Sequence, residues 1–287
     1  MEKQIERMKS IVLFIFLVFS KNINSFAQLK YPVVGTYKGK SAQGMAIWED
    51  KAYLFNDGGF CRVLDLKTGI VSDSLTLGSA RKNNHSNSAS FGSEKVAGNK
   101  TPVIYISECW PPFRCFVENI SGNVSQTVQT LKIDREGTDS IAKDWVVDRK
   151  HKLIYGIANL DIVDKKTGNR RFRITSYRLP KLSEGKEVHL TDEDAKDSFD
   201  VFFPNVLQGA SIYKNRLYMP VGFQKGLEKR LDSERAVIVI DLKKKQIEKK
   251  VILEDVIEVE PEDMDFYRGE PLLYCGQKGG LYRLNLK

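Results

Sequence analysis

A few side chains in this sequence could carry chemistry by themselves. Glu108, Asp144 and Glu262 are carboxylates in three separate but similar segments, and His85 sits in the Asn/Ser-rich run NNHSN. Glycoside hydrolysis uses two carboxyls about 5–10 Å apart, one protonating the leaving group and the other serving as nucleophile or base. Imidazole, with a pKa near neutrality, could move a proton beside them. Asp144, Glu262 and His85 are therefore the candidate catalytic groups. Trp110, followed by two prolines in CWPPFRC, offers a rigid flat surface that could stack on a sugar ring. His151, in the turn DRKHK, and His189, in an outer strand, are not expected to converge with His85.

Several chemistries lack their signatures. There is no P-loop, no GxSxG elbow, no HExxH and no CxxC. The acidic run TDEDAKDSFD (191–200) lacks the glycine and ligand alternation of an EF-hand calcium loop, so it is expected to be a solvated loop. No cofactor and no metal site are assigned.

The elements that would position these groups are set by a diverged repeat. QGMAIWEDKAYLF from Gln43, NSASFGSEKVAGNKTPVIYIS from Asn87, KDWVVDRKHKLIYGIA from Lys143, QGASIYKNRLYMPVG from Gln208 and EDMDFYRGEPLLYCG from Glu262 share one plan. Each has a polar entry residue, a short apolar strand, a turn and a second apolar strand. The starts lie 44, 56, 65 and 54 residues apart. That irregular period suits β-propeller blades carrying loop insertions.

Further strand runs bring each unit toward four antiparallel strands: CRVLDL and SLTL in the first, AVIVIDL and KKVILE in the fourth, FRITSYRL and a weaker KEVHL in the third. The last unit has three strands, and LKYPVVGTYKG (29–39) can supply its fourth, removing an open edge. The expected fold is all-β, a five-bladed propeller closed by an N-terminal strand. Six blades would follow if 170–207 hid a degenerate unit. The stretch 223–235 is expected to be a long loop.

In a propeller, the loops entering the innermost strands share a face with those joining second to third strands. Entry residues Gln43, Asn87, Lys143 with Asp144, Gln208, and Glu262 with Asp263 would ring the channel mouth. Asp57, Glu108, Trp110, Asp161 and Gln277 would join them from the second-to-third loops. Gln43, Asp57, Asn87, Glu108, Trp110, Asp161 and Gln208 are the candidate ligand-binding residues, because groups from several blades meet there. Trp48 and Trp145 fall on innermost strands and are expected to pack between blades. In this organisation the chain resembles exported bacterial β-propeller proteins of the NHL-like and lactonase-like kind, over residues 29–287. The resemblance implies the fold, and such folds host lectins, lyases, hydrolases and scaffolds.

The N-terminus reads as an export signal. Lys3, Arg7 and Lys9 precede the apolar run Ile11 to Phe19, and Ser25-Phe26-Ala27 supplies small residues for cleavage before Gln28. Nine apolar residues are too few to span a bilayer, which needs about 20. The expected layout is a signal peptide at 1–27 and one propeller domain at 28–287, in the periplasm, on the cell surface or outside the cell. Removing the signal leaves 41 basic against 35 acidic residues. With no basic stripe interleaved with aromatics, nucleic acid is not an expected partner. A hydrophobic share of 41% is enough for one sizeable core. The four cysteines permit disulfides in an exported protein, with Cys109–Cys115 the better pair and Cys61–Cys275 the weaker.

The leading expectation is an exported monomeric propeller binding a glycan or peptide at the channel mouth. The alternatives are a glycoside hydrolase or polysaccharide lyase using carboxylates on that face, and a scaffold holding a partner through 191–207 and 223–235.

Overall fold

Alternating side chains explain the architecture. In a strand, neighbouring residues point to opposite faces, and here each face of a blade meets a different neighbour. The structure, a computed structural model, describes residues 26–32, 34–35, 40–80, 84–133, 144–164, 166–226, 234–276 and 280–286. The export signal expected at 1–27, apart from Phe26 and Ala27, and the positions Lys143 and Gln277 lie outside these residues.

β1 (Phe26–Pro32) is followed by β2 (Ala42–Trp48), β3 (Lys51–Asn56), β4 (Phe60–Asp65) and β5 (Val71–Thr76), the last four forming blade 1. Blade 2 comprises β6 (Ala89–Phe91), β7 (Ile104–Ser107), β8 (Cys115–Ser121) and β9 (Val124–Ile133). Blade 3 begins with β10 (Asp144–Asp148), β11 (Leu153–Val163) and β12 (Arg170–Arg178). Then come β13 (Glu187–Leu190) and β14 (Ala195–Phe203). Blade 4 is β15 (Ser211–Tyr213), β16 (Arg216–Val221), β17 (Ala236–Asp241) and β18 (Gln246–Ile252). Blade 5 is β19 (Pro261–Tyr267), β20 (Glu270–Cys275) and β21 (Gly280–Asn285), completed by β1, which runs antiparallel to β21. The ring is thus five-bladed and closed by the N-terminal strand.

Five apolar clusters fill the five seams between blades. Ala46 and Phe55 face blade 2 beside Phe91 and Ile106, whereas Met45 and Leu54 face blade 5 beside Leu272 and Tyr274. The same division recurs around the ring, with seams at blades 2–3, 3–4 and 4–5. Trp145 is fully buried in its seam, and Trp48 lies against Phe91 at 5.7 Å, so both tryptophans pack between blades.

Two expectations for the third unit change. KEVHL does not complete blade 3; as β13 it pairs parallel to β9 and gives blade 2 a fifth strand. The fourth strand of blade 3 is β14, which covers most of the run expected to be an acidic loop. The physical reason is alternation: Val201 and Phe203 enter the core while Asp200 turns outward to Arg171 and Arg173. Acidic residues on the outer face of an outermost strand look like a loop in composition alone.

The cysteines also depart from expectation, since all four are thiols. Cys61 packs in the seam between blades 1 and 2 and Cys275 in the seam between blades 4 and 5, so the ring holds them apart. Cys115 is buried in β8 against the blade 2–3 seam, while Cys109 stands at the channel mouth.

Buried carboxylates tie the innermost strands together. Asp263 Oδ2 accepts the backbone N–H of Met45 at 2.8 Å and of Ala89 at 3.2 Å, and Oδ1 accepts that of Met264 at 2.8 Å. Asp265 repeats the device one residue pair along, accepting N–H groups from Ile47 and Phe266, both at 2.7 Å. Innermost strands splay from one another and cannot form a continuous ladder, so side chains satisfy their inward N–H groups. Glu118 fastens the blade 1–2 connection, accepting from Gly78 N, Ser79 N, Ser125 Oγ and Thr127 Oγ1.

Candidate functional site at the channel mouth

The repeat pair Gln-Gly builds two walls of the mouth. A Cβ on Gly44 would sit 2.5 Å from the Ser86 carbonyl oxygen, and one on Gly209 would sit 2.4 Å from Asp263 Oδ1. Glycine lets each entry strand lie against the next blade, and the preceding glutamine then turns into the centre. Gln43 and Gln208 line one cavity of about 770 Å³, together with Asn87 and Glu262 from blades 2 and 5.

Four of the five entry positions therefore meet. Asn87 Nδ2 donates to Asp144 Oδ1 at 2.7 Å and to the Gln208 carbonyl, joining blades 2, 3 and 4. Gln208 Nε2 donates to the Gly222 carbonyl and to Glu260 Oε1, both at 2.7 Å. Gln43 Oε1 is buried at the cavity wall and meets no donor among the described residues. Asp144 does not line the cavity; only 2% exposed, it stands behind Asn87 and holds that amide in place.

The rim comes from the second-to-third loops and from the β5–β6 connection that carries His85. His85 Nδ1 lies 2.7 Å from Asp57 Oδ1, and the imidazole meets the Trp110 ring edge-on at 5.8 Å between centroids. Trp110 is 54% exposed at the edge of the cavity, the geometry of a stacking platform. Glu108 is drawn out of the site, because Arg114 closes on it through its backbone N–H and guanidinium at 3.0–3.3 Å. Asp161 falls within β11, where the pairing with β12 is irregular, and its strand position replaces the expected loop.

Several lining residues escaped the sequence reading. Phe223 and Lys225 arrive on the β16–β17 loop, and Glu258 and Glu260 on the segment before β19. Arg235, 2% exposed, clamps these two segments by donating to the carbonyls of Phe223 and Ile257 and to Glu254. Lys225 is engaged by Glu258 at 2.6 Å. Glu260 lies two residues before Glu262, so the same alternation that turned Glu262 inward could have flagged it.

The electrostatics centre on Glu262. Burial raises its carboxyl well above the ordinary range, and the neighbouring carboxylates of Glu260, Asp57 and Asp263 push it the same way. No hydrogen bond among the described residues holds it. Gly276 lies between the pair: a Cβ there would be 3.0 Å from Glu262 Oε1 and 3.4 Å from Glu260 Cβ. Asp263 is also raised by burial, against the three N–H groups that favour its charged form. For Asp265, burial outweighs the Ile47 and Phe266 N–H groups and pushes the carboxyl up to about 6.

These shifts have a sign in stability. A carboxyl with a raised folded pKa favours folding while protonated, and that contribution disappears as pH rises through the folded value. Asp50 and Glu184, both held at about 2 by ion pairs, act oppositely and lose their contribution as pH falls below the usual carboxylate range. Asp265 is therefore expected to make the melting temperature decline as pH rises from the ordinary carboxylate range through about 6. Asp265→Asn should flatten the decline in a series of thermal melts, and a profile rising steadily to pH 7 would contradict the assignment.

No protein-family model matches this sequence, and no curated protein sequence does. Among solved structures, the chain is similar in fold to the crystal structure of Myxococcus xanthus glutaminyl cyclase. The TM-score is 0.53 at 12% identity, covering 90% of this chain and 95% of that one.

Proposed function

We propose that this chain is an exported propeller that binds the amino end of an extracellular peptide in the cavity at its channel mouth. Export is supported by the basic, apolar and small-residue succession of residues 1–27. The single observation that carries the ligand is the acid-rich floor. Glu260 and Glu262 face one cavity, and Glu262 is pushed toward its neutral form by burial first and then by the neighbouring carboxylates. A primary ammonium entering there would relieve that repulsion and form charge-assisted hydrogen bonds. Gln43 Oε1 supplies a further acceptor, and Trp110 and Phe223 offer apolar surface for the side chains that follow.

Titration calorimetry with short peptides tests this reading. A free-amine peptide is expected to bind, and the same peptide with an acetylated amino terminus to bind at least about tenfold more weakly. Equal affinity for the two forms would overturn the amino-end assignment. Binding of neutral oligosaccharides in preference to either would favour the glycan alternative, with Trp110 as its platform.

A second reading is catalytic. A neutral carboxyl in an enclosed cavity can give a proton to a leaving group and take one back from a nucleophile. One fold neighbour is a glutaminyl cyclase, and the corresponding reaction would suit this floor. The amino nitrogen of a glutaminyl peptide bonds to its side-chain amide carbon while the carbon–nitrogen bond of that amide breaks. Glu262 protonates the departing nitrogen and recovers a proton from the attacking one, releasing ammonia. Ammonia release from a glutaminyl peptide, lost in Glu262→Gln, would support catalysis; binding without release would leave the binding reading alone. The glycosidase alternative loses its named pair, since Glu262 lines the cavity and Asp144 does not.

A further inference from the structure

On the opposite face, two seams of the ring differ at equivalent turn positions. The turns β2–β3, β15–β16 and β19–β20 each have two residues, flanked by the pairs Trp48↔Lys51, Tyr213↔Arg216 and Tyr267↔Glu270. Position by position, Tyr213 and Lys214 of blade 4 correspond to Tyr267 and Arg268 of blade 5. Gly269 of blade 5 corresponds to Asp50 of blade 1.

At the seam between blades 5 and 1, these positions form an anion site with a built-in occupant. The Tyr267 hydroxyl donates to Asp50 Oδ1 at 2.8 Å, Arg268 Nη2 reaches the same oxygen at 3.0 Å, and Lys67 Nζ lies 2.6 Å from Oδ2. These donors hold the Asp50 carboxyl at about 2. At the seam between blades 4 and 5 the tyrosine and a basic turn residue recur as Tyr213 and Lys214, but glycine stands where the carboxylate would be. A Cβ built on Gly269 would lie 3.0 Å from the Tyr213 hydroxyl oxygen, so that hydroxyl is aimed where the missing side chain would start. Lys214, exposed and held in the left-handed region at φ 49, makes no ion pair among the described residues.

The space left is a cleft of about 760 Å³, far more than one carboxylate fills. Its carboxylates are already engaged: Glu248 with Arg216, and Glu270 with Arg283 and Lys30. Lys249 also lines it, donating to the Leu286 carbonyl. Cations outnumber acids, and the rim is polar over an aromatic floor in which Tyr213 stacks on Phe266 at 4.2 Å. We propose that this cleft binds a uronic acid residue of a saccharide, the sugar carboxylate taking the place that Asp50 fills in the neighbouring seam. This site is separate from the channel mouth and does not depend on the peptide reading.

Titration calorimetry with D-glucuronate, glucose and acetate tests it, on the wild-type protein and three variants. Glucuronate is expected to bind, acetate more weakly, and glucose not measurably. Lys214→Glu, on an exposed residue, should weaken glucuronate about tenfold or more. Gly269→Asp, which restores the internal carboxylate, should abolish binding; aspartate is among the residues that tolerate a positive φ. Glu262→Gln at the mouth should leave glucuronate binding unchanged, which separates this site from the first. Equal binding of glucose and glucuronate, full binding in Lys214→Glu, or no binding at millimolar sugar would overturn the proposal. Acetate binding as tightly as glucuronate would overturn the sugar assignment.

Discussion

Replacing Asp263 with alanine is expected to lower the free energy of unfolding by about 3–6 kcal/mol, the largest single-site loss foreseen in this fold. Its carboxylate accepts three backbone N–H groups, from Met45, Ala89 and Met264, on the innermost strands of blades 1, 2 and 5. Truncation leaves all three donors buried, at about 1–3 kcal/mol each. Part of this is offset because a buried charge also disappears. Asp263 itself is fully buried, and Gly209 packs against it, so no water-filled route replaces the lost acceptor easily. Asp263→Asn, which keeps one acceptor oxygen, should fall between wild type and alanine in urea denaturation. An alanine variant within 1 kcal/mol of wild type, a small change by the same scale, would show that the carboxylate does not fasten the ring.

The second large effect concerns the ligand. Glu262→Gln is expected to weaken binding of a free-amine peptide by about 10–100-fold, the range for one charge-assisted hydrogen bond at a desolvated site. The acetylated peptide, already without its ammonium, should bind almost equally to both proteins. Stability should move in the opposite direction at neutral pH, because a carboxyl raised by burial and by Glu260 is replaced with a neutral amide. Opposed effects on affinity and stability distinguish a binding residue from a structural one. A parallel loss of both would assign Glu262 to the fold, as Asp263 is.

The two predictions fall on adjacent residues, and alternation explains their different roles. Glu262 turns into the cavity while Asp263 turns toward the backbone of neighbouring blades. The sequence shows an acidic pair at a strand entry, but only the closed ring decides which carboxyl meets solvent and which meets N–H groups.

The same distinction governs what was legible in advance. Short strands, turn residues and equivalent Gln-Gly pairs recur along the chain, so the blades, the closing strand and four mouth residues could be placed from pattern. Alternation was masked where an outer strand is acidic on one face, which is why β14 looked like a loop. Strand exchange between units was not legible either. β13 leaves its own unit to pair with β9, a contact with no local signature. Glu108 and Asp144 occupy the right positions but are taken by Arg114 and Asn87. Residue type and spacing locate a carboxylate, whereas its availability depends on partners that folding brings from elsewhere. Phe223 was missed for the same reason, since Arg235 draws its loop inward from outside the repeat, whereas alternation from Glu262 could have pointed to Glu260.

The most direct measurement is a crystal of the protein soaked with a free-amine peptide. Density for the peptide is expected in the channel-mouth cavity, with its terminal nitrogen within hydrogen-bond distance of Glu260 and Glu262 and its first side chain toward Trp110. Peptide density elsewhere on the ring, or an empty mouth at concentrations where calorimetry records binding, would contradict this placement.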